Sequence, residues 1–255
     1  RKLWAKLLKE KYQVKDNKAL FLRGIFGGGG SGMTKQQPEN NIMRGAYYAL
    51  AAALSGAQTT ALCSFDEAYT IPTERAALLS LRTFQILMDE IGLRDTVDPL
   101  AGSYFLETLT KEMEIKILEE METIEKLGGM VEAVSSGYIQ REVSRQAYEY
   151  EKNLQKGKVI KVGVNKYTEG ADMEVELHEY DENWAYQQIE RLKALKKDRH
   201  NRAVSDSLKS LEKAAKDQKN VMPYLVECCR HYATIGEMAH VFRDVFGEYR
   251  EPNIF

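Results

Sequence analysis

The feature that most constrains this chain is a spacing. Three short apolar runs, residues 20–26, 58–63 and 95–98, begin roughly 37 residues apart. The first two are each followed by a polar or Gly-rich loop and then by a long stretch of helical periodicity. That distance holds one strand, one loop and one helix, the repeating unit of a parallel sheet or barrel. In a (β/α) barrel the loops after the strands carry the chemistry. Here those loops are residues 27–41, 64–73 and 99–103, and they contain the most unusual sequence in the chain. The expected class is therefore α/β.

A complete barrel of eight units takes about 250 residues. The chain has 255 residues, yet three units precede a change of pattern. We therefore expect part of a barrel, its other strands supplied by a preceding segment or another chain. Beyond it the sequence turns helical and charged. A helix is expected to about residue 127, another from 130 to about 155, then a short strand-like run at 159–164 and an acidic segment at 169–182. Three further helical patterns cover residues 183–197, 201–216 and 222–246. Glu and Lys alternate on them, which marks solvated faces.

Local signals refine this order. Residues 1–12 carry Leu3, Trp4, Leu7, Leu8 and Tyr12 at helical spacing, and 16–18 form a turn. The glycines at 27–30 can approach a ligand closely and take positive φ. Their N–H groups could cradle anionic oxygens, although the composition also suits a flexible linker. Asn40 or Asn41, after Pro38, is expected to cap the next helix, 42–54, whose alanines imply close packing on the strands. Tyr47 and Tyr48 read as part of that packing. Ser64 or Asp66 caps a turn, while Glu67 stands at a strand's C-terminal end. Thr73 opens a helix that stops at Gly92.

Composition excludes several classes. A formal net charge of −2 offers no footprint for nucleic acid. No apolar run reaches the roughly 20 residues of a membrane span, and the basic residues 1–10 have too short an apolar core for a signal peptide. Cys63, Cys228 and Cys229 are odd in number and two are adjacent, so a reduced, cytoplasmic protein is expected. Cys63 reads as a small apolar residue at a strand end. His178, His200, His231 and His240 all follow the barrel-like region, which leaves that region no imidazole for acid–base or metal chemistry.

Three segments in order, LRGIFGGGGSGMTKQQPENN, SFDEAYTIPTE and TVDPLAGSYFLE, resemble the large barrel subunit of the methylmalonyl-CoA mutase family. The resemblance continues through IQREVSRQAYEYEKNLQKGKVIKVGVNKY to GEYREP. It implies the C-terminal portion of a (β/α)8 TIM barrel at residues 1–127, followed by a mostly helical extension at 128–255 that wraps the barrel or a partner subunit. Arg23 and Thr34 keep the family's separation, so the glycines replace loop residues rather than adding to them.

The resemblance also implies an isomerase, an acyl-CoA mutase that uses adenosylcobalamin for a radical carbon-skeleton rearrangement. Lys18, Arg23, Gln58 and Thr59 match positions near the acyl-CoA substrate. Gly30, Glu67, Thr70 and Ile71 match positions lining the corrin. The family holds cobalt through a histidine in a DxHxxG motif. This chain lacks that motif, which implies a separate cobalamin-binding small subunit. Ile25, Gly27 and Ala61 stand where the family has histidine, glutamine and histidine. Those changes imply a bulkier or less polar acyl-CoA than methylmalonyl-CoA. They also suit an alternative, a non-catalytic structural subunit supporting a catalytic paralogue.

Overall fold

The computed structural model describes residues 1–170 and 174–252. They fall into two compact units, Arg1–His178 and Glu179–Asn253. By compactness the division lies between His178 and Glu179.

The first unit begins with α1 (Lys2–Glu10), whose end is tied to a later helix by the Lys11–Glu125 ion pair. Strand β1 (Ile25–Gly28) follows, then a 3-10 turn at Gly30–Gly32 and helix α2 (Asn40–Leu54). Strand β2 (Thr59–Leu62) lies parallel to β1, with Ile25 opposite Thr59 and Gly27 opposite Ala61. Helix α3 (Glu74–Asp89) completes the second strand–loop–helix unit. Both units expected here are present.

Alternation decides which side of this sheet faces the helix. Side chains two apart share a face. Leu62 faces α2 so closely that a Cβ on Gly45 would stand 3.1 Å from Leu62 Cδ1. Gly45 and Ala49 are buried in α2, which is the close packing its small residues imply. Ile25, Gly27, Thr59 and Ala61 occupy the other face and are exposed. Tyr47 corrects the packing expectation, since it is 69% exposed.

The third expected strand, 95–98, does not form. A 3-10 turn occupies Leu93–Asp95, Asp98 takes a left-handed φ of 52°, and Val97 is fully open to solvent. A strand needs a partner for its backbone groups, and Pro99 offers no N–H to a ladder. The run instead closes a turn, Ala101 N–H donating to Asp98 O at 3.1 Å. Helix α4 (Tyr104–Lys126) follows as expected. The next helix is two, α5 (Met130–Ser135) and α6 (Tyr138–Gln155), broken at Gly137 with φ 74°. Residues 159–164 form no strand among the described residues, only an isolated bridge from Val162 to Lys166. Within the acidic segment, residues 171–173 lie outside the described residues.

The second unit contains α7 (Asn183–Asp198), α8 (Asn201–Lys216), α9 (Met222–Arg230) and α10 (Ile235–Phe246). The last expected helix is thus split, by Tyr232 at φ 62° and by Thr234, which caps α10 in a full capping box with Glu237. Its core is Val204, Leu211, Cys228, Ala233 and Met238, flanked by Leu208, Leu225 and Phe242. Burial pushes the Cys228 thiol up, so it stays protonated and apolar. All three cysteines are free. Among the described residues no helix is long and apolar enough to cross a membrane.

Candidate functional site

The loops after β1 and β2 are fixed by buried polar side chains. Asn41, expected as a helix cap, instead sits inside α2 and is buried; the N-cap is Glu39. Asn41 Oδ1 accepts from Thr34 N–H at 3.0 Å, and its Nδ2 donates to Thr34 O at 2.8 Å and Phe65 O at 2.9 Å. One amide therefore links the first loop to the second. A helix cap would have satisfied one donor, whereas this position satisfies three groups from two loops.

Asp66 organises the second loop. It is fully buried and accepts from Ser64 Oγ, from Thr73 N–H at 3.0 Å and from Thr73 Oγ1 at 3.2 Å. Thr73 in turn caps α3, its Oγ1 accepting from Ala76 N–H at 3.3 Å. The turn-capping role of Asp66 is thus realised. Because Asp66 is held inward, its neighbour Glu67 is turned to solvent.

Gly30 and Glu67 come together. A Cβ on Gly30 would lie 3.5 Å from Glu67 Cγ and Oε1, and 3.9 Å from Cys63 Sγ. The missing side chain leaves a shallow recess beside a carboxylate that has no hydrogen-bond partner among the described residues. Partial burial, then the Glu67 charge, pushes the Cys63 thiol up. Thr70 is half-buried, its Oγ1 accepting from His178 N–H at 3.3 Å. Ile71, one residue on, is 64% exposed.

Arg23, Gln58 and Thr59 also converge. With Phe21, Gly24 and Ile25 they line an open cleft of about 610 Å³ where β1 and β2 begin. Its polar groups are a guanidinium, an amide and a hydroxyl, a set suited to carboxylate, phosphate or carbonyl oxygens. Lys18 is not among the lining residues. It sits exposed in the turn after α1, its backbone N–H donating to Asp16 Oδ1 at 2.9 Å.

One expectation for the first loop needs correction. Gly27, Gly29, Gly30 and Gly32 do not adopt positive φ, because β1 and the 3-10 turn use ordinary backbone there. The N–H of Gly32 is bound to Gly29 O, and that of Met33 to Gly30 O. Sequence reasoning also missed the positioning roles of Asn41 and Gln37. Gln37 Nε2 donates to Tyr167 O at 3.0 Å and Glu169 O at 3.2 Å. Both residues lie in QQPENN, but the distant carbonyls they meet carry no sequence signal.

A family model described as methylmalonyl-CoA mutase matches residues 1–248. The chain is 36% identical to the 2-hydroxyisobutanoyl-CoA mutase large subunit of Aquincola tertiaricarbonis, over 100% of this chain and 46% of that protein. It is 34% identical to the mitochondrial methylmalonyl-CoA mutase of Mus musculus, over 98% of this chain and 34% of that protein. The methylmalonyl-CoA mutase of Rhizobium meliloti is also 34% identical, over 98% of this chain and 35% of its own length. The chain spans less than half the length of these relatives.

Proposed function

The chain belongs to the methylmalonyl-CoA mutase family, and from that premise we propose that its protein is an adenosylcobalamin-dependent acyl-CoA mutase, an isomerase. The observation that carries this reading is the convergence of Arg23, Gln58 and Thr59 on one cleft at the start of the parallel strands. Residues 1–127 would supply C-terminal βα units of the TIM barrel and 128–255 the helical extension. The exposed sheet face bearing Ile25, Gly27, Thr59 and Ala61 would meet the upstream half of the barrel, from the same or a separate chain. A separate small subunit would hold the cobalamin from its other side. The compartment we assign is the cytoplasm.

The residues present fit the cofactor. Gly30 presents no side chain beside Glu67, whose carboxylate has no hydrogen-bond partner among the described residues and could accept from amide donors. Exposed Ile71 would pack against the group and exclude water. The chemistry that adenosylcobalamin supplies when bound is homolysis of a carbon–cobalt bond, which starts a radical rearrangement. Thr70 helps to shape the loop beneath. On the substrate side, Arg23 would pair with an anionic oxygen while Gln58 and Thr59 orient the acyl-CoA. Lys18 would meet the substrate only from its exposed turn.

The substrate we propose is an acyl-CoA less polar or bulkier than methylmalonyl-CoA. Gly27 and Ala61 pair across the strands, and Ile25 shares their face. Three small or apolar residues thus replace hydrogen-bonding groups in one patch. The same patch favours a second reading, a structural subunit that supports a catalytic paralogue.

Titration of the assembled protein separates the two. Glu67→Ala is expected to weaken adenosylcobalamin binding about tenfold, the worth of one charge-assisted hydrogen bond. CoA-ester affinity should barely change. Unchanged cobalamin affinity with an intact fold would favour the structural subunit. Competition between acyl-CoA esters tests the substrate, and a preference for methylmalonyl-CoA would defeat that part of the proposal.

A further inference from the structure

A second cleft, of about 630 Å³, opens beside the loop that follows β1. Its walls include Ser31, Arg44 and Tyr48 from the first strand–loop–helix unit, Tyr150 from α6, and Ile160 and Lys161 from the segment beyond. All belong to the first compact unit.

Two cations face this cleft, and neither has a counter-charge among the described residues. Arg44 Nη1 donates to Thr34 Oγ1 and Asn41 Oδ1, both at 2.7 Å, and Nη2 donates to Val162 O at 2.7 Å. Lys161 Nζ donates to Ser31 O at 3.1 Å. Every acceptor is neutral, and among the described residues neither cation forms an ion pair within 4.0 Å. Both are half-buried. Two positive charges drawn partly out of water and left unneutralised are costly, and an anion between them would recover that cost.

The hydroxyls point to the same chemistry. Tyr48 and Tyr150 line the cleft, and neither phenol has a hydrogen-bond partner among the described residues. Tyr48 is held against the loop, where a Cβ on Gly32 would stand only 2.5 Å from its Oη. Gly32 thus makes room for a donor that no protein group uses. Beyond these donors, Ile160 and the tyrosine rings give the cleft an apolar wall.

We propose that this cleft binds a small molecule bearing a phosphate-class oxyanion, with Arg44 and Lys161 neutralising it and the two tyrosine hydroxyls donating to it. The volume exceeds that of a bare oxyanion, and the apolar wall would hold an organic body attached to it. Because Lys161 also grips Ser31, next to Gly30, occupancy would brace the segment at 160–162 against the loop after β1. The proposal does not rest on the mutase reading.

Inorganic phosphate is the probe, titrated calorimetrically into the assembled full-length protein in phosphate-free buffer. Binding in the millimolar range or tighter is expected. Lys161→Ala should weaken it about tenfold, as the loss of one charge-assisted contact does, and Lys161→Arg should restore most of it. The Lys161 side chain makes one hydrogen bond, to Ser31 O, so circular dichroism should show both variants folded. Absence of phosphate binding in the parent protein would overturn the proposal, and would be the result if a carboxylate from another polypeptide fills the cleft. Equal phosphate affinity in parent, Lys161→Ala and Lys161→Arg would also overturn it, by placing the phosphate elsewhere.

Discussion

The two compact units differ in how many polar side chains they bury. The second unit buries apolar side chains from α8, α9 and α10 against one another, with Leu211 and Cys228 fully enclosed. The first unit encloses Met33, Ala49, Ala76, Leu87 and Ala133, and among them the polar Asn41, Asp66, Thr34, Ser64 and Thr73. It leaves Ile25, Tyr104, Phe105 and Val97 largely exposed. Apolar burial is non-directional and gives stability. Polar burial is worthwhile only when each group meets its partner, so it specifies a shape. The first unit is thus built to hold two loops in place, while the second holds itself together.

The largest effect should come from separating the units. Residues 179–253 alone are expected to unfold in one cooperative urea transition. Residues 1–178 alone should not, because a two-stranded sheet leaves open edges and an exposed face. Near-ultraviolet and far-ultraviolet circular dichroism would check this, and coincident sharp transitions for residues 1–178 would break the comparison.

Single substitutions sharpen it. Leu211→Ala should cost the second unit about 3 kcal/mol, transfer and cavity together. Asp66→Ala strips buried Ser64 and Thr73 of their acceptor and should cost the assembled protein about 2 kcal/mol. Its damage should reach cobalamin affinity through Glu67, an outcome that Leu211→Ala would not produce. Denaturant titration and cobalamin titration of the same two variants measure both.

Besides buried Ser207, the second unit has a polar cluster around Glu237. Arg199 donates to Glu237 Oε2 at 2.8 Å and Oε1 at 2.5 Å, while Thr234 N–H donates to Glu237 Oε2 at 2.8 Å. Arg199, chiefly through these hydrogen bonds, holds the Glu237 carboxyl down at about 2 against an ordinary 4.5. The folded state therefore binds this proton less readily than the unfolded one. The stabilisation is complete above about pH 4.5 and is lost as pH falls through about 2. Arg199→Met should cost about 2 kcal/mol at neutral pH and flatten that acid limb. An unchanged pH profile of stability would refute the assignment.

The smallest effect belongs to the break between α5 and α6. Gly137 sits at φ 74°, where a Cβ is strained. Gly137→Ala should lower the melting stability of the assembled protein by about 1 kcal/mol. A gain would mean that the two helices prefer to run on as one.

Much of this was legible in the sequence because it depends on neighbours along the chain. The period of about 37 residues marked β1–α2 and β2–α3. Thr73 announced the start of α3, and Gly128-Gly129 the end of α4. The run at 95–98 misled because a strand is a property of two segments, and it pairs with no strand among the described residues. Gly137 and Tyr232 divided expected helices at left-handed residues, and a Tyr at φ 62° has no signature in composition. The candidate residues divided likewise. Arg23, Gln58 and Thr59 share a cleft, whereas Lys18, only five positions before Arg23, does not.

By itself the sequence determined the first two strand–loop–helix units, the cap of α3, the family and the residue types available to a site. Those follow from periodicity, side-chain chemistry and motif spacing, all local to the chain. The tertiary structure alone decided that Asn41 joins two loops and that Asp66 turns inward so that Glu67 turns out. It also decided that Arg44 and Lys161, more than a hundred residues apart, face one cleft. Each of those depends on which donors and acceptors meet across space, and distance along the chain carries no record of it.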